Sequence, residues 1–284
     1  MRVYAIMKSN NQIIPYFIWK SQYKVRLLTM DIQSRAEAAQ KIAREAGEML
    51  RHHGKIKIRE KAANDFVTEM DVRSETMIRE ALLGHFPEDE FFGEEGGGAR
   101  VSRGRWIVDP IDGTQSFMRG HHGYCISIAY ECEGELVLGC IYVPDTDEMF
   151  LAVRGQGATL NGQPIHVSDI ANPAQALAHL GYGHRVPADR ERTMRLLTGL
   201  FAQISDIRRY GSAAYALCCV ACGRSEIFFE LGLKIYDIAA GIVIVGEAGG
   251  RISGWSADAD CRQTGNILAT NSQLHGFMLN QLNA

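Results

Sequence analysis

Trp106-Ile107-Val108-Asp109-Pro110-Ile111-Asp112-Gly113-Thr114 is the stretch on which the reading of this chain turns. Its three apolar residues make a short buried strand. Pro110 has no N–H to give a sheet ladder and biases Asp109 towards extended backbone, so the strand is expected to end at Asp109. Gly113 permits a tight bend, and Thr114 opens a short helix running through Phe117. Two carboxylates are thereby held at a strand-to-helix corner, beside backbone N–H groups of the kind that cradle phosphate. Aspartates this close repel unless a cation neutralises them or one keeps its proton. Taken alone, a D-x-x-D-G pair also fits a helix cap followed by a turn.

Working outward, the period is helical from Asp31, with Ile32, Ala36, Ala39, Ala43, Ala46 and Leu50 on one face and Gly54 as a stop. Ile56 and Ile58 alternate with lysines as in a strand or hairpin. Thr68 and Asp71 form a capping-box pattern that opens a second helix, expected to turn Val72, Ile78, Ala81 and Leu82 inward and to stop near Gly84 and Pro87. Glu94-Glu95 follow the apolar Phe91-Phe92-Gly93. Gly96-Gly97-Gly98 lack the strand-before, helix-after setting of a dinucleotide fingerprint and are expected to form a flexible turn.

Downstream, strands at Tyr124–Tyr130 and Leu136–Val143 flank a turn at Glu133-Gly134, followed by Met149–Val153 and a turn at Asn161-Gly162. Helices are expected around Arg190–Ile204, Ser212–Cys222 and Asp237–Glu247, strands at Ile227–Glu230 and Ile267–Thr270, and a closing helix. Interleaved helices and antiparallel strands imply an α+β fold rather than a doubly wound parallel sheet. Asp237, placed after Ile235-Tyr236, is a third acid bordering an apolar run.

The 284 residues are 46% hydrophobic and 22% charged, which excludes a disordered chain. Thirty Lys and Arg against 33 Asp and Glu leave −3, without the basic excess of a protein that grips nucleic acid by its backbone. Nucleic acid is not expected as a partner. No run of 18 apolar residues suggests a membrane span. The seven cysteines sit mostly in apolar stretches and read as reduced, buried thiols of a cytoplasmic protein. Cys219-Val-Ala-Cys222 lies in the apolar Ser212–Cys222 helix and reads as packing rather than redox chemistry. His121-His122 fall close enough in sequence to the 109–114 corner to sit near a substrate rim.

Residues 1–30 differ from the rest: they carry Arg2, Lys8, Lys20, Lys24 and Arg26 but no Asp or Glu. The apolar run at 13–19 contains Pro15 and lacks a small-residue cleavage site, so a signal peptide is not expected. Neither is an organellar transit peptide, for want of an amphipathic Arg/Ser pattern. The expectation is a loosely attached extension, disordered or preceding a true start at Met30, with one domain over 31–284.

Three ordered blocks, Gly93-Glu94-Glu95, Trp106 to Thr114 and Tyr236-Asp237-Ile-Ala-Ala-Gly241, resemble the signature blocks of the inositol monophosphatase family. The likeness runs from about Asp31 to the C-terminus. It implies the layered α-β-α-β-α sandwich of the inositol monophosphatase and fructose bisphosphatase type, a homodimer, and a lithium-sensitive phosphatase using two or three Mg²⁺ ions, with Mn²⁺ as a substitute. By resemblance, Glu94, Asp109 and the Ile111 carbonyl would bind a first metal, and Asp109, Asp112 and Asp237 a second. Gly113 and Thr114 would offer N–H groups to the phosphate, while Thr114 and Glu94 orient the attacking water. Gly211, Ser212, Ala213 and Glu230 match substrate-hydroxyl positions. Lys61, Asp65 and Asp71 match the family's mobile N-terminal loop, Asp71 helping to place a third metal. The all-oxygen donor set suits Mg²⁺ or Mn²⁺ rather than Zn²⁺.

The implied substrate is inositol 1-phosphate or another small phosphorylated polyol. Two departures bear on it: Tyr236 stands where the family commonly has Trp, and Lys234 adds a cation. Leu233-Lys234-x-Tyr236-Asp237 is similar to the histidinol-phosphate phosphatases of the same superfamily, which makes an amino-alcohol phosphate the alternative. Gln115-Ser116 replaces the usual Thr-Asn and discriminates poorly. Some bacterial relatives also serve as partners of the transcription machinery, so a regulatory role on this scaffold is a further alternative.

Overall fold

The computed structural model describes the backbone of residues 8–9, 12–13, 16–52, 58–62, 65–98, 103–182, 187–256 and 259–282. Side chains are described for 31–52, 58, 67–98, 103–182, 188–256 and 259–282. The chain opens with β1 (Lys8–Ser9), β2 (Gln12–Ile13), α1 (Tyr16–Arg51), the hairpin β3 (Ile58–Ala62) and β4 (Asp65–Thr68), then α2 (Glu69–His85) and β5 (Glu90–Gly93). The middle comprises β6 (Gly104–Asp112), α3 (Thr114–Met118), β7 (Cys125–Cys132), β8 (Glu135–Val143), β9 (Glu148–Val153), β10 (Ala158–Leu160) and β11 (Gln163–Ile165). The last third holds β12 (Leu177–Leu180), α4 (Pro187–Leu200), β13 (Asp206–Arg208), α5 (Ala213–Ala221), β14 (Ile227–Glu230), α6 (Ile235–Glu247), β15 (Arg251–Ser253), α7 (Cys261–Thr264), β16 (Ile267–Thr270) and α8 (His275–Leu282).

Two mixed sheets organise these elements. The larger has the order β11-β10-β9-β8-β7-β6-β5, antiparallel except for β5 beside β6. The smaller has the order β13-β12-β14-β16-β15, with β12 parallel to both its neighbours. Side chains alternate along each strand. On β6, Trp106 and Val108 join α1 and α2 in one apolar cluster, while Ile107 joins α5 and α6 in another. A third cluster packs α4 and α8 on the far side of the smaller sheet. The order is therefore α1/α2, large sheet, α5/α6, small sheet, α4/α8: the expected five layers.

Each helix carries the pattern its layer requires. On α1, Ala36, Ala39, Ala43, Ala46 and Leu50 are buried, as the 3.6-residue period foretold. Helix α5 is apolar all round and every residue in it is buried, because sheets cover both its sides. Cys219 lies in that packing, where burial pushes its thiol up to about 12. The Thr68–Asp71 capping box is formed, Asp71 Oδ2 taking the Thr68 N–H at 2.7 Å. Glu133-Gly134 and Asn161-Gly162 have positive φ at both positions, the two-residue hairpin geometry.

Four expectations need correction. The first helix starts at Tyr16, not Asp31. Val72 is 46% exposed and points away from the core that Ile78 and Leu82 enter. Strand β6 does not stop at Asp109; it continues to Asp112, with Asp109 opposite Ser127 and Asp112 opposite Cys125. One extra residue on β6 is taken up there, a bulge that accommodates Pro110 without a ladder bond. Of the glycines expected to form a flexible turn, Gly96 and Gly97 are tied down, Gly96 to Glu75 on α2 and Gly97 to the Gly93 carbonyl. The expected stop at Gly54 and the side chains of Lys61 and Asp65 lie outside the described residues.

Candidate active site

The bulge decides where the first two acids go. It turns Asp109 and Asp112 towards the layer between the sheets, where α6 delivers Asp237 from its first turn. Carboxylate oxygens of these three residues lie within 4.8 Å of one another, and all three side chains are buried. Asp109 Oδ1 accepts the N–H of Ile111 at 3.0 Å. Asp112 Oδ2 accepts the Ser212 hydroxyl at 2.8 Å and the Ala214 N–H at 2.6 Å, at the start of α5. Asp237 Oδ2 accepts the Lys234 N–H at 2.6 Å. Of the local alternative, the turn forms at Asp109, but α3 follows Gly113 without a side-chain cap. Asp112 instead bonds the start of α5 and Asp237 that of α6, and both roles coexist with the clustering.

Hydrogen bonds and the helix N-termini of α5 and α6 only partly offset the crowding of negative charge. Burial, reinforced by Glu94, Asp112, Asp237 and Asp71, raises the Asp109 carboxyl well above its ordinary range. Burial pushes Asp112 up to about 6 against the opposing pull of Ala214 and Ser212. A hard cation would remove that repulsion, and the donors are all oxygen, so the residues fit Mg²⁺.

The cluster forms one wall of a cleft of about 170 Å³. Glu94, Ile111, Gly113, Thr114, Gly211, Ser212, Ala213 and Glu230 line it together with the three aspartates. Glu94 stands outside the 4.8 Å group but on the same cleft. Asp71 is not on the wall. It is buried behind Thr114, whose hydroxyl lies 3.1 Å from Asp71 Oδ1 and 3.0 Å from the Ile111 carbonyl. Glu230 ends β14, and its carboxylate occupies the space beside Gly181 that a side chain there would take.

Sequence reasoning missed the rest of that second wall. His179 and Tyr210, which line it, stack at 4.9 Å, and Arg209 joins them there. Burial pushes His179 down to about 4, so it is neutral at physiological pH. No local motif marks these residues; the parallel pairing of β12 with β13 and β14 brings them to the cleft. Lys234 and Tyr236 are absent from the lining: Lys234 is exposed, and the Tyr236 ring packs 6.4 Å from that of Phe92. His121 and His122 are exposed and off the cleft, His122 meeting Asp145 at 3.1 Å. Among the described residues no helix is long and apolar enough to cross a membrane.

Comparison with known proteins bears directly on this geometry. The Nus factor SuhB of Vibrio cholerae is 36% identical over 236 residues, covering 82% of this chain and 88% of the relative. Inositol monophosphatase 2 of Solanum lycopersicum is 36% identical over 260 residues, covering 87% and 97%. The crystal structure of the extragenic suppressor protein suhB from Bartonella henselae superposes with a TM-score of 0.83 at 34% identity, covering 87% of this chain and 97% of that one. The sequence profile of the inositol monophosphatase family matches residues 29–284, a span that contains every residue of the cleft. With the five layers, the aspartate cluster and this match in agreement, the chain belongs to the inositol monophosphatase family.

Proposed function

We propose that the protein is a Mg²⁺-dependent phosphomonoesterase of small polyol phosphates, inositol 1-phosphate being the type substrate. The observation that carries this reading is the buried Asp109–Asp112–Asp237 group sharing one cleft with Glu230 and the 211–213 turn. Asp109, Asp112, Asp237 and Glu94, with the Ile111 carbonyl, would hold the ions. When bound, Mg²⁺ supplies Lewis-acid neutralisation of the phosphoryl oxygens and the leaving alkoxide, and acidifies water.

The chain's own groups do the rest. Backbone N–H groups of Gly113 and Thr114 would bind a phosphoryl oxygen. The Thr114 hydroxyl, steadied by Asp71, orients a water whose oxygen bonds to phosphorus as the ester P–O bond breaks. Glu94 accepts a proton of that water, and the departing alkoxide regains one from solvent. Glu230 and the 211–213 turn take the hydroxyls of the leaving group. Because Glu230 lines the cleft while Lys234 and Tyr236 do not, a polyol is favoured over the amino-alcohol of histidinol phosphate.

Phosphate release from inositol 1-phosphate and histidinol phosphate, side by side with Mg²⁺ and with a chelator, tests the reading. Metal-dependent release with inositol 1-phosphate preferred is expected; preference for histidinol phosphate would overturn the polyol assignment, and no release from either would overturn the activity. A second reading, a partner-binding role on the same scaffold, is favoured by the naming of the Vibrio cholerae relative as a Nus factor. It would survive an Asp109→Asn substitution that abolishes turnover.

A further inference from the structure

Helix α2 presents three polar side chains to the protein interior: Asp71, Ser74 and Glu75 are 1%, 0% and 4% exposed. The spacing i, i+3, i+4 puts them on one face. Each is bonded to a different segment of the cleft. Asp71 meets the Thr114 hydroxyl at the start of α3, at 3.1 Å. Ser74 donates to the carbonyl of Pro110 in the β6 bulge, at 3.3 Å. The Glu75 carboxylate accepts the N–H groups of Glu95 and Gly96, at 2.7 and 2.8 Å.

The last pair matters because Glu94 arrives on a segment unlike those of the three aspartates. It follows a four-residue strand at the edge of the sheet, and its own N–H bonds to the Val108 carbonyl at 3.2 Å. The two residues after it are pinned by Glu75. A side chain on Gly93 would overlap the Glu75 carboxylate, and one on Gly96 would overlap the guanidinium of Arg79, which pairs with Glu75 at 3.3 Å. The composition of this loop is fitted to a buried carboxylate on α2.

We propose that Glu75 is a positioning residue that presents Glu94 to the cation-binding cleft; this rests on the reading of Glu94 as a metal ligand. Groups that hold metal ligands in place commonly change affinity by ten- to a hundredfold when removed. The test is Glu75→Gln, which keeps the shape but removes the charge and one of the two acceptor oxygens. Mg²⁺ binding is followed by calorimetry, the half-saturating Mg²⁺ by phosphate release, and the Glu95 and Gly96 amides by hydrogen exchange.

About a tenfold weaker Mg²⁺ affinity is expected, with the KM for the phosphate ester at saturating Mg²⁺ within about twofold of wild type and faster exchange at both amides. Gly96→Ala, which disturbs the same contact from the loop side, should give the same signature and serves if Glu75→Gln does not fold. A lower melting temperature with unchanged Mg²⁺ affinity in both variants would overturn the inference. Wild-type protein that neither binds Mg²⁺ nor releases phosphate would instead overturn the function on which it rests.

Discussion

Two buried carboxylate sites sit on opposite faces of the large sheet, and the chain treats them in opposite ways. On the α1/α2 face, Asp89 receives Arg35 through Nε and Nη2 at 2.9 Å each, Trp106 Nε1 at 3.0 Å and the Tyr130 hydroxyl at 2.8 Å. The Arg35 guanidinium lies over the rings of Phe86 and Tyr130. That charge is fully answered by the protein. On the opposite face, Asp109, Asp112 and Asp237 are gathered with their carboxylate oxygens within 4.8 Å of one another. Burying acids beside acids raises their proton affinity. The contrast sets a carboxylate answered by Arg35 against carboxylates crowded upon one another, which is what the proposed cation site requires.

The sharpest break comes from Asp109→Asn. Under the proposed function Asp109 would serve the metal site most directly, so its loss should lower Mg²⁺-dependent phosphate release by about a thousandfold or more. The same variant should melt higher than wild type in chelator, since one repelling charge is gone. Retained turnover would remove Asp109 from the ligand set. At the answered site the effect is reversed: Arg35→Leu should destabilise the fold by ~3–5 kcal/mol, because Asp89 stays buried without its cation. Denaturant unfolding reads that loss, and the half-saturating Mg²⁺ of the folded fraction should not move.

The pH dependence of metal-free protein comes next. Asp112 holds its proton up to about pH 6 when folded but loses it near 3.8 when unfolded. Between those values the native state binds more protons, so stability falls as pH rises. The loss, on the order of 3 kcal/mol from Asp112 alone, is complete above its folded value and should be reversed by Mg²⁺. Melting temperatures from pH 4 to 8, with chelator and with Mg²⁺, would show the two curves separating; parallel curves would show that the acids are not cation-coupled. The smallest effect is expected from Ser212→Ala, which removes both the cap of α5 and a donor to Asp112. About 1 kcal/mol of stability should go.

What the sequence made legible follows the range of the forces involved. Periodicity and turn chemistry are local, so the alanine face of α1, the Thr68 cap and both hairpin turns could be read directly. Asp109, Asp112 and Asp237 were marked by local pattern and by resemblance, and they do converge. The run of β6 through Pro110 was misread because a bulge depends on the partner strand β7, which a rule about proline does not see. Val72 was misplaced because α2 gives its inward face to Asp71, Ser74 and Glu75, polar residues that a hydrophobic pattern discounts. Glu75 showed only a local i,i+4 pairing with Arg79, and its role at the loop, like that of His179, depends on partners 20 or more positions away.

The two walls of the cleft belong to different sheets: the acids come from β6 and α6, the groups around Glu230 from the ends of β12 and β14. Mutation can therefore explore one wall while the other is inherited intact. A library confined to positions 179–181 and 209–210 would sample new alcohols against constant phosphate chemistry. If the proposed activity holds, such an arrangement makes substrate range an evolvable trait, with a lineage free to change the alcohol it accepts while keeping the acids that act on the phosphate.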